Sequence, residues 1–165
     1  MLAHEELNME KNVKSKVLVG VERRIEVWRK GKLVSIDEKF IDAKDIVVNA
    51  GLNALCGQGF DESGGRPAVF NSIAIGTGTN ATLAADTTLQ TEVMRVKGTY
   101  GKDGPTGECS MDATFNITNT YALVECGILN NSSGGTLYCR DAYAVKNVVS
   151  GDTVKIYYTP KFQAA

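Results

Sequence analysis

The residues in this chain that could do chemistry are few and poorly grouped. Gly76-Thr-Gly78 follows the short apolar run Ile73-Ala-Ile75, and glycines at the end of a strand can cradle a phosphate on backbone N–H groups. A phosphate loop also needs a following Gly-Lys-Ser/Thr, or a third glycine opening a long helix, and the sequence has neither. These glycines are therefore expected to turn the chain off the strand through unusual dihedrals, with Asp86 or Thr87 capping a helical turn that contains Leu89. Cys56, Cys109, Cys126 and Cys139 form no Cys-x-x-Cys pair and the single histidine is His4, so no zinc site is expected. One histidine also rules against a histidine-based nucleophilic triad. Asp61, Glu62 and Asp141 are the nearest thing to an acid–base set, but adjacent loop carboxylates are solvated far more often than catalytic. No catalytic, metal-binding or cofactor-binding residue is expected, and no cofactor.

The charge balance excludes further classes. Of 165 residues, 18 are Lys or Arg and 19 Asp or Glu, a net charge of −1. That supplies no field for nucleic acid or an anionic membrane, and no basic stripe with interleaved aromatics appears. No apolar run approaches the roughly 18–20 residues that span a bilayer, so no membrane insertion is expected. The first ten residues are acidic and lack the features of a signal peptide, so export by that route is not expected, and the Asn-x-Ser/Thr triplets at Asn80, Asn116 and Asn131 carry no glycosylation meaning. Residues 1–45 hold 19 of the 37 charges. The remainder is a charge-poor body rich in Thr, Ser, Asn and Gly, as expected of a β protein whose surface meets other subunits.

The elements that must position these residues are mostly strands. Residues 1–15 read as an N-terminal arm with only Leu2, Leu7 and Met9 able to bury. From Lys16 a long strand places Val17, Val19, Val21, Ile25 and Val27 on one face, interrupted by Arg23, and Glu22, Arg24 and Glu26 on the other. A Lys30-Gly31-Lys32 turn leads to a second strand from Leu33 to about Ile41, making 16–45 a charged β-hairpin. Trp28, on the charged face, reads as an anchor at a subunit interface or, failing that, a rim residue. After Ile46-Val-Val48, Asn49 is the expected N-cap of a short helix with Leu52, Leu55 and Cys56 at helical spacing, ended by Gly57 and Gly59. An exposed loop over 59–70 follows.

Six further strands are expected at 73–75, 93–100, 109–117, 122–129, 136–143 and 153–162. In the third, Cys109, Met111, Ala113, Phe115 and Ile117 alternate with polar residues, one face in and one out. In the last, Pro160 argues for a sheet edge or a strand end. Residues 101–107 and 131–135 read as hairpin loops. If 131–134 closes a four-residue turn, Cys126 lies directly opposite Cys139, as a pair of reduced thiols rather than a disulfide. The fold class is mainly β: an antiparallel β-sandwich, in jelly-roll or immunoglobulin-like order, with one short helix, forming a single domain over 16–165.

Four blocks in order resemble a family of small bacteriophage virion proteins found among tail and tail-fibre components. They are Val47-Val-Asn-Ala-Gly-Leu-Asn-Ala-Leu55, Asn71-Ser-Ile-Ala-Ile-Gly-Thr-Gly-Thr-Asn80 running on to Glu92-Val-Met-Arg95, Val124 to Asp141, and Ser150 to Phe162. The resemblance covers roughly 46–162. It implies a non-enzymatic structural protein of the virion, assembled in the bacterial cytoplasm as a symmetric homo-oligomer at the tail, collar or fibre base. The implied partners are the chain itself and other virion proteins of the tail, the portal or collar, or the major capsid protein. A capsid decoration or head-fibre protein is the nearest alternative, and a module binding a host surface glycan or receptor is the second.

Overall fold

The computed structural model describes residues 17–39, 47–102 and 104–164; the expected arm over 1–15 and the end of the second strand near Ile41 lie outside them. The elements in chain order are β1 (Val17–Arg29), β2 (Lys32–Lys39), α1 (Asn49–Phe60), β3 (Ser72–Gly76), β4 (Glu92–Lys97), β5 (Thr99–Gly101), β6 (Ser110–Asn116), β7 (Tyr121–Leu129), β8 (Leu137–Val148) and β9 (Thr153–Ala164). They form two antiparallel sheets, one ordered β2-β1-β9-β6-β5 and the other β4-β3-β7-β8. The protein is a β-sandwich with one short helix. No described helix is long and apolar enough to cross a membrane.

Period-two alternation builds the core. Val21, Ile25 and Val27 of β1, Met111, Ala113 and Phe115 of β6, and Val154, Ile156 and Tyr158 of β9 face Ile73 and Ile75 of β3 and Leu123, Cys126 and Ile128 of β7, all buried. The β1–β2 hairpin turns at Lys30 (φ 49°) and Gly31 (φ 74°), two successive left-handed residues whose twist suits a tight hairpin. The expected strand over 93–100 is instead two. It breaks at Gly98, where the chain leaves the β3 sheet as β4 and joins the other as β5; a Cβ there would press on Met111 and on the backbone of Asp112.

β9 is not an edge strand. It is central, pairing along its length with β1 and, over Thr153–Tyr158, with β6. Pro160 is tolerated because its nitrogen points the same way as its own carbonyl, which accepts Cys109 N at 3.2 Å from the β6 side, just beyond the regular β6 ladder. The β1 side, where Pro160 sits opposite Val21, therefore lacks no donor.

The β7–β8 hairpin is shifted from the expected register by two residues. Asn130 N donates to Thr136 O at 3.1 Å and Thr136 N donates back to the Asn130 side-chain oxygen at 2.7 Å, leaving a five-residue loop that Gly134 (φ 60°) and Gly135 (φ 81°) close. The pairing then slips again between Leu129↔Leu137 and Ile128↔Cys139, making Tyr138 the extra residue of a bulge. Cys126 consequently lies opposite Asp141, with Cys139 its diagonal neighbour, and all four cysteines are free.

α1 also differs from expectation. Asn49 is its first helical residue and Val48 its N-cap, without a side-chain cap, and the helix passes Gly57 and Gly59 to end at Phe60. Its buried face is Gly51 and Ala54, while Leu52 and Cys56 are exposed. Gly51 rests on the backbone of Tyr138, an approach any Cβ would block. Val48 N donates to Tyr138 O at 3.0 Å, so the chain entering α1 covers the first part of β8. Backbone contact, rather than an apolar stripe, docks this helix.

The arginine that interrupts the apolar face of β1 is an interior residue. Arg23 Nε donates to Asp141 Oδ2 at 2.5 Å and one Nη to Asp37 Oδ1 at 2.7 Å, with the ring of Tyr143 5.1 Å from the guanidinium carbon. Burial works against its charge, but these carboxylates outweigh it and hold Arg23 above its usual value. The cluster ties β1 and β2 to β8 of the opposite sheet. Removing one partner of a buried pair strands the other, so Asp141→Ala is expected to cost about 3–5 kcal/mol in urea unfolding, whereas the paired Arg23→Met, Asp141→Leu variant is expected to recover much of that loss.

Candidate functional site

The Gly76-Thr-Gly78 segment does bind an anion, and the anion is the protein's own Glu125. Gly78 N, Gln90 N and Thr91 N donate to the Glu125 carboxylate at 2.9, 2.9 and 2.7 Å, and Arg140 Nε donates at 2.8 Å. Neither Gly76 nor Gly78 adopts a positive φ, so the expected unusual dihedrals are absent. Glycine is required for close approach: a Cβ on either would come within 2.5 Å of Glu125 Oε1. The carboxylate is fully buried, and burial alone would raise its pKa. The backbone donors of Thr91 and Gln90, with Arg140 and Gly78, reverse that and hold it below its ordinary value of 4.5.

Arg140 completes the anchor. Its remaining donors reach Asp86 Oδ2 at 2.9 Å, Asn80 O at 3.0 Å and Ala81 O at 3.3 Å. Asp86 caps no helical turn; it accepts from Leu83 N and from Arg140. Thus the polar loop over 77–91 is strapped across the outer face of the β3 sheet. Leu89 is buried beneath it with Ala74, Leu129, Leu137 and Val48. Buried Glu125 and Arg140 were not singled out from the sequence. The only signal was that β7 carries one charge, Glu125, and the first half of β8 the adjacent pair Arg140 and Asp141, amid apolar residues.

The other sequence candidates do not come together. Asp61 sits in the exposed loop after α1, accepting from Ser63 N and Oγ, whose bonds lower its pKa. Asp141 is inside the sandwich against Arg23 and Lys39. Cys126 is buried, pushed up to about 12 by loss of solvent, and accepts the Tyr158 hydroxyl at 2.9 Å; Cys139 is buried as well. Such thiols are unreactive. Trp28 is half-buried, its Nε1 donating to Glu26 at 2.8 Å and its ring facing Lys155 at 5.1 Å, so its own sheet holds it in place. His4 lies outside the described residues. Among the described residues, no three His, Cys, Asp or Glu side chains are grouped to hold a metal.

What the sandwich does present is an apolar groove of about 600 Å³ at the end where α1 meets β5, β6 and β9. Its walls include Leu55, Phe70, Met111, Tyr138, Pro160 and Phe162. Tyr138 is placed there by the β8 bulge and packs on Phe70 with ring centroids 5.0 Å apart. Its hydroxyl has no hydrogen-bond partner among the described residues. Val69 and Tyr100, 67% and 64% exposed, extend the apolar surface at the mouth. Volume and lining are those of a binding cleft.

Compared with protein-family models, curated proteins and solved structures, the chain matches none.

The anchor has measurable consequences. Gly78→Ala should lower stability and free the 77–91 loop to proteolysis, read by limited thermolysin digestion at Leu83 and Leu89. A depressed carboxylate pKa contributes stability that is complete above the unfolded value and is lost as pH falls through the folded one. Glu125, and likewise Asp37 and Asp152, both held below 3.8, should therefore leave urea midpoints flat from neutral pH to about 5 and falling below about 4.5. The gap between the parent and Glu125→Gln should narrow across the same acid range.

Proposed function

We propose that this chain is a non-enzymatic structural protein of a bacteriophage virion, assembling as a symmetric homo-oligomer at the tail, collar or fibre base. The observation that carries the assembly reading is the outer edge of the five-stranded sheet. β2 ends that sheet and leaves one side of its backbone without a strand partner among the described residues. Leu33, Val34 and Ile36 on it are 44%, 52% and 47% exposed. A long edge strand with apolar side chains on both faces is a template for pairing with another chain, and proteins that stay monomeric blunt such edges. Lys32, Glu38 and Lys39 give partial protection and set polar limits to the contact.

The sequence blocks support the placement in a virion. Two of the four, the 71–95 block and the 124–141 block, meet physically through Glu125, Arg140 and the glycine loop. Their joint presence is what this particular strapped sandwich requires. Buried Glu125 and Asp141 are each committed to an arginine, so the charged side chains in the interior serve to hold elements together. Repetition around a symmetry axis lets modest contacts hold a particle.

Val34→Lys with Ile36→Lys should reduce the oligomer to a smaller species in light scattering after size exclusion, while changing monomer stability by no more than about 0.5 kcal/mol. Unchanged assembly would remove β2 as the contact. Quantitative mass spectrometry of purified particles tests the location. A small symmetric count fits the tail or collar, a count near that of the major capsid protein would make this a decoration protein, and absence would remove the virion reading.

A further inference from the structure

We propose that the apolar groove is the docking site for this chain's own N-terminal segment, residues 1–16, which seats Leu2, Leu7 and Met9 against Phe70, Met111 and Tyr138. This reading is independent of where the protein assembles. The first argument is position. Val17, where the described chain begins, pairs with Ala164, and Val19 pairs with Phe162 in the groove wall. The 16 residues before Val17 are thus tethered beside the groove, with an extended reach of roughly 50 Å.

The second argument is chemistry. Within a polar, charged stretch, Leu2, Leu7 and Met9 are the side chains suited to burial, and methionine fills irregular apolar gaps readily. The first ten residues carry three glutamates and no Lys or Arg, and Lys97 lies in the groove lining. Third, Val69, Tyr100 and Phe162 leave exposed apolar surface along the groove, which a docked apolar segment would cover. Covalent attachment favours the chain's own segment over a neighbour's, because a short tether sets a high effective concentration.

Cys109 lines the groove and supplies the readout. In full-length protein carrying Cys56→Ser, which removes the exposed thiol, maleimide should modify Cys109 slowly. Adding Leu7→Asp with Met9→Asp should speed that reaction by about tenfold or more, as expected if the docked state is the dominant population. A synthetic peptide of residues 1–16 should then restore protection. Equal rates with and without the two aspartates would overturn the proposal, and protection that fades on dilution would overturn it in favour of a neighbouring copy's segment. As a check independent of those substitutions, Leu7→Cys in the same Cys56→Ser protein should form a disulfide with Cys109 within one chain under mild oxidation. Failure to form it, or an interchain product, would equally overturn the assignment.

Discussion

Two adjacent side chains of β8, Arg140 and Asp141, point to opposite faces of one sheet, and each is buried against an opposite charge. Outward, Arg140 meets Glu125 and holds the 77–91 loop; inward, Asp141 meets Arg23 and joins the two sheets. Burying a charge is tolerable only when it is paired and hydrogen-bonded. These two pairs therefore constrain everything around them. The bulge at Tyr138 sets the register that places Cys126 opposite Asp141, and the closeness of Gly76 and Gly78 to Glu125 leaves no room for side chains there.

The same constraint explains the uneven surface. Hydrophobic burial supplies the bulk of the folding drive, but it would accept several registers of a Val/Ile-rich hairpin. Ionic partners in the interior do not, since a slip by one residue would turn Arg140 inward and Asp141 outward and strand all four charges. At the outer end of the sandwich, Arg29 grips Asp152 through two bonds of 2.9 and 2.7 Å, fixing the end of β1 to the β8–β9 turn. At the opposite end, among the described residues, no such clamp closes the gap between the sheets, and the groove lies there.

Among the described residues, the β2 edge and the groove are surfaces left without a partner. Both are apolar and extended in shape. They are suited to receiving polypeptide, the kind of contact on which a symmetric assembly relies. The edge offers backbone groups together with side chains, so it fits pairing with another strand; the groove offers side-chain contacts.

Alternation alone located most strands and the inward face of β6, because a half-buried strand writes its burial into every second residue. The interior places of Val21, Ile25, Val154, Ile156 and Tyr158 were legible for the same reason. The turn at Gly31 and the five-residue loop at 131–135 in outline were local features and equally readable. What depended on partners distant in sequence was not. Arg23 looked like a defect in an apolar face until Asp141, 118 residues away, supplied its counter-charge. Gly76 and Gly78 looked like turn glycines until the Glu125 carboxylate packed against both. Pro160 looked like an edge marker, though in the folded chain its missing donor falls just beyond the β6 ladder. Tertiary structure decided these because charge pairing, close approach and ladder ends are relations between segments, whereas the sequence by itself determines only what each segment can bury.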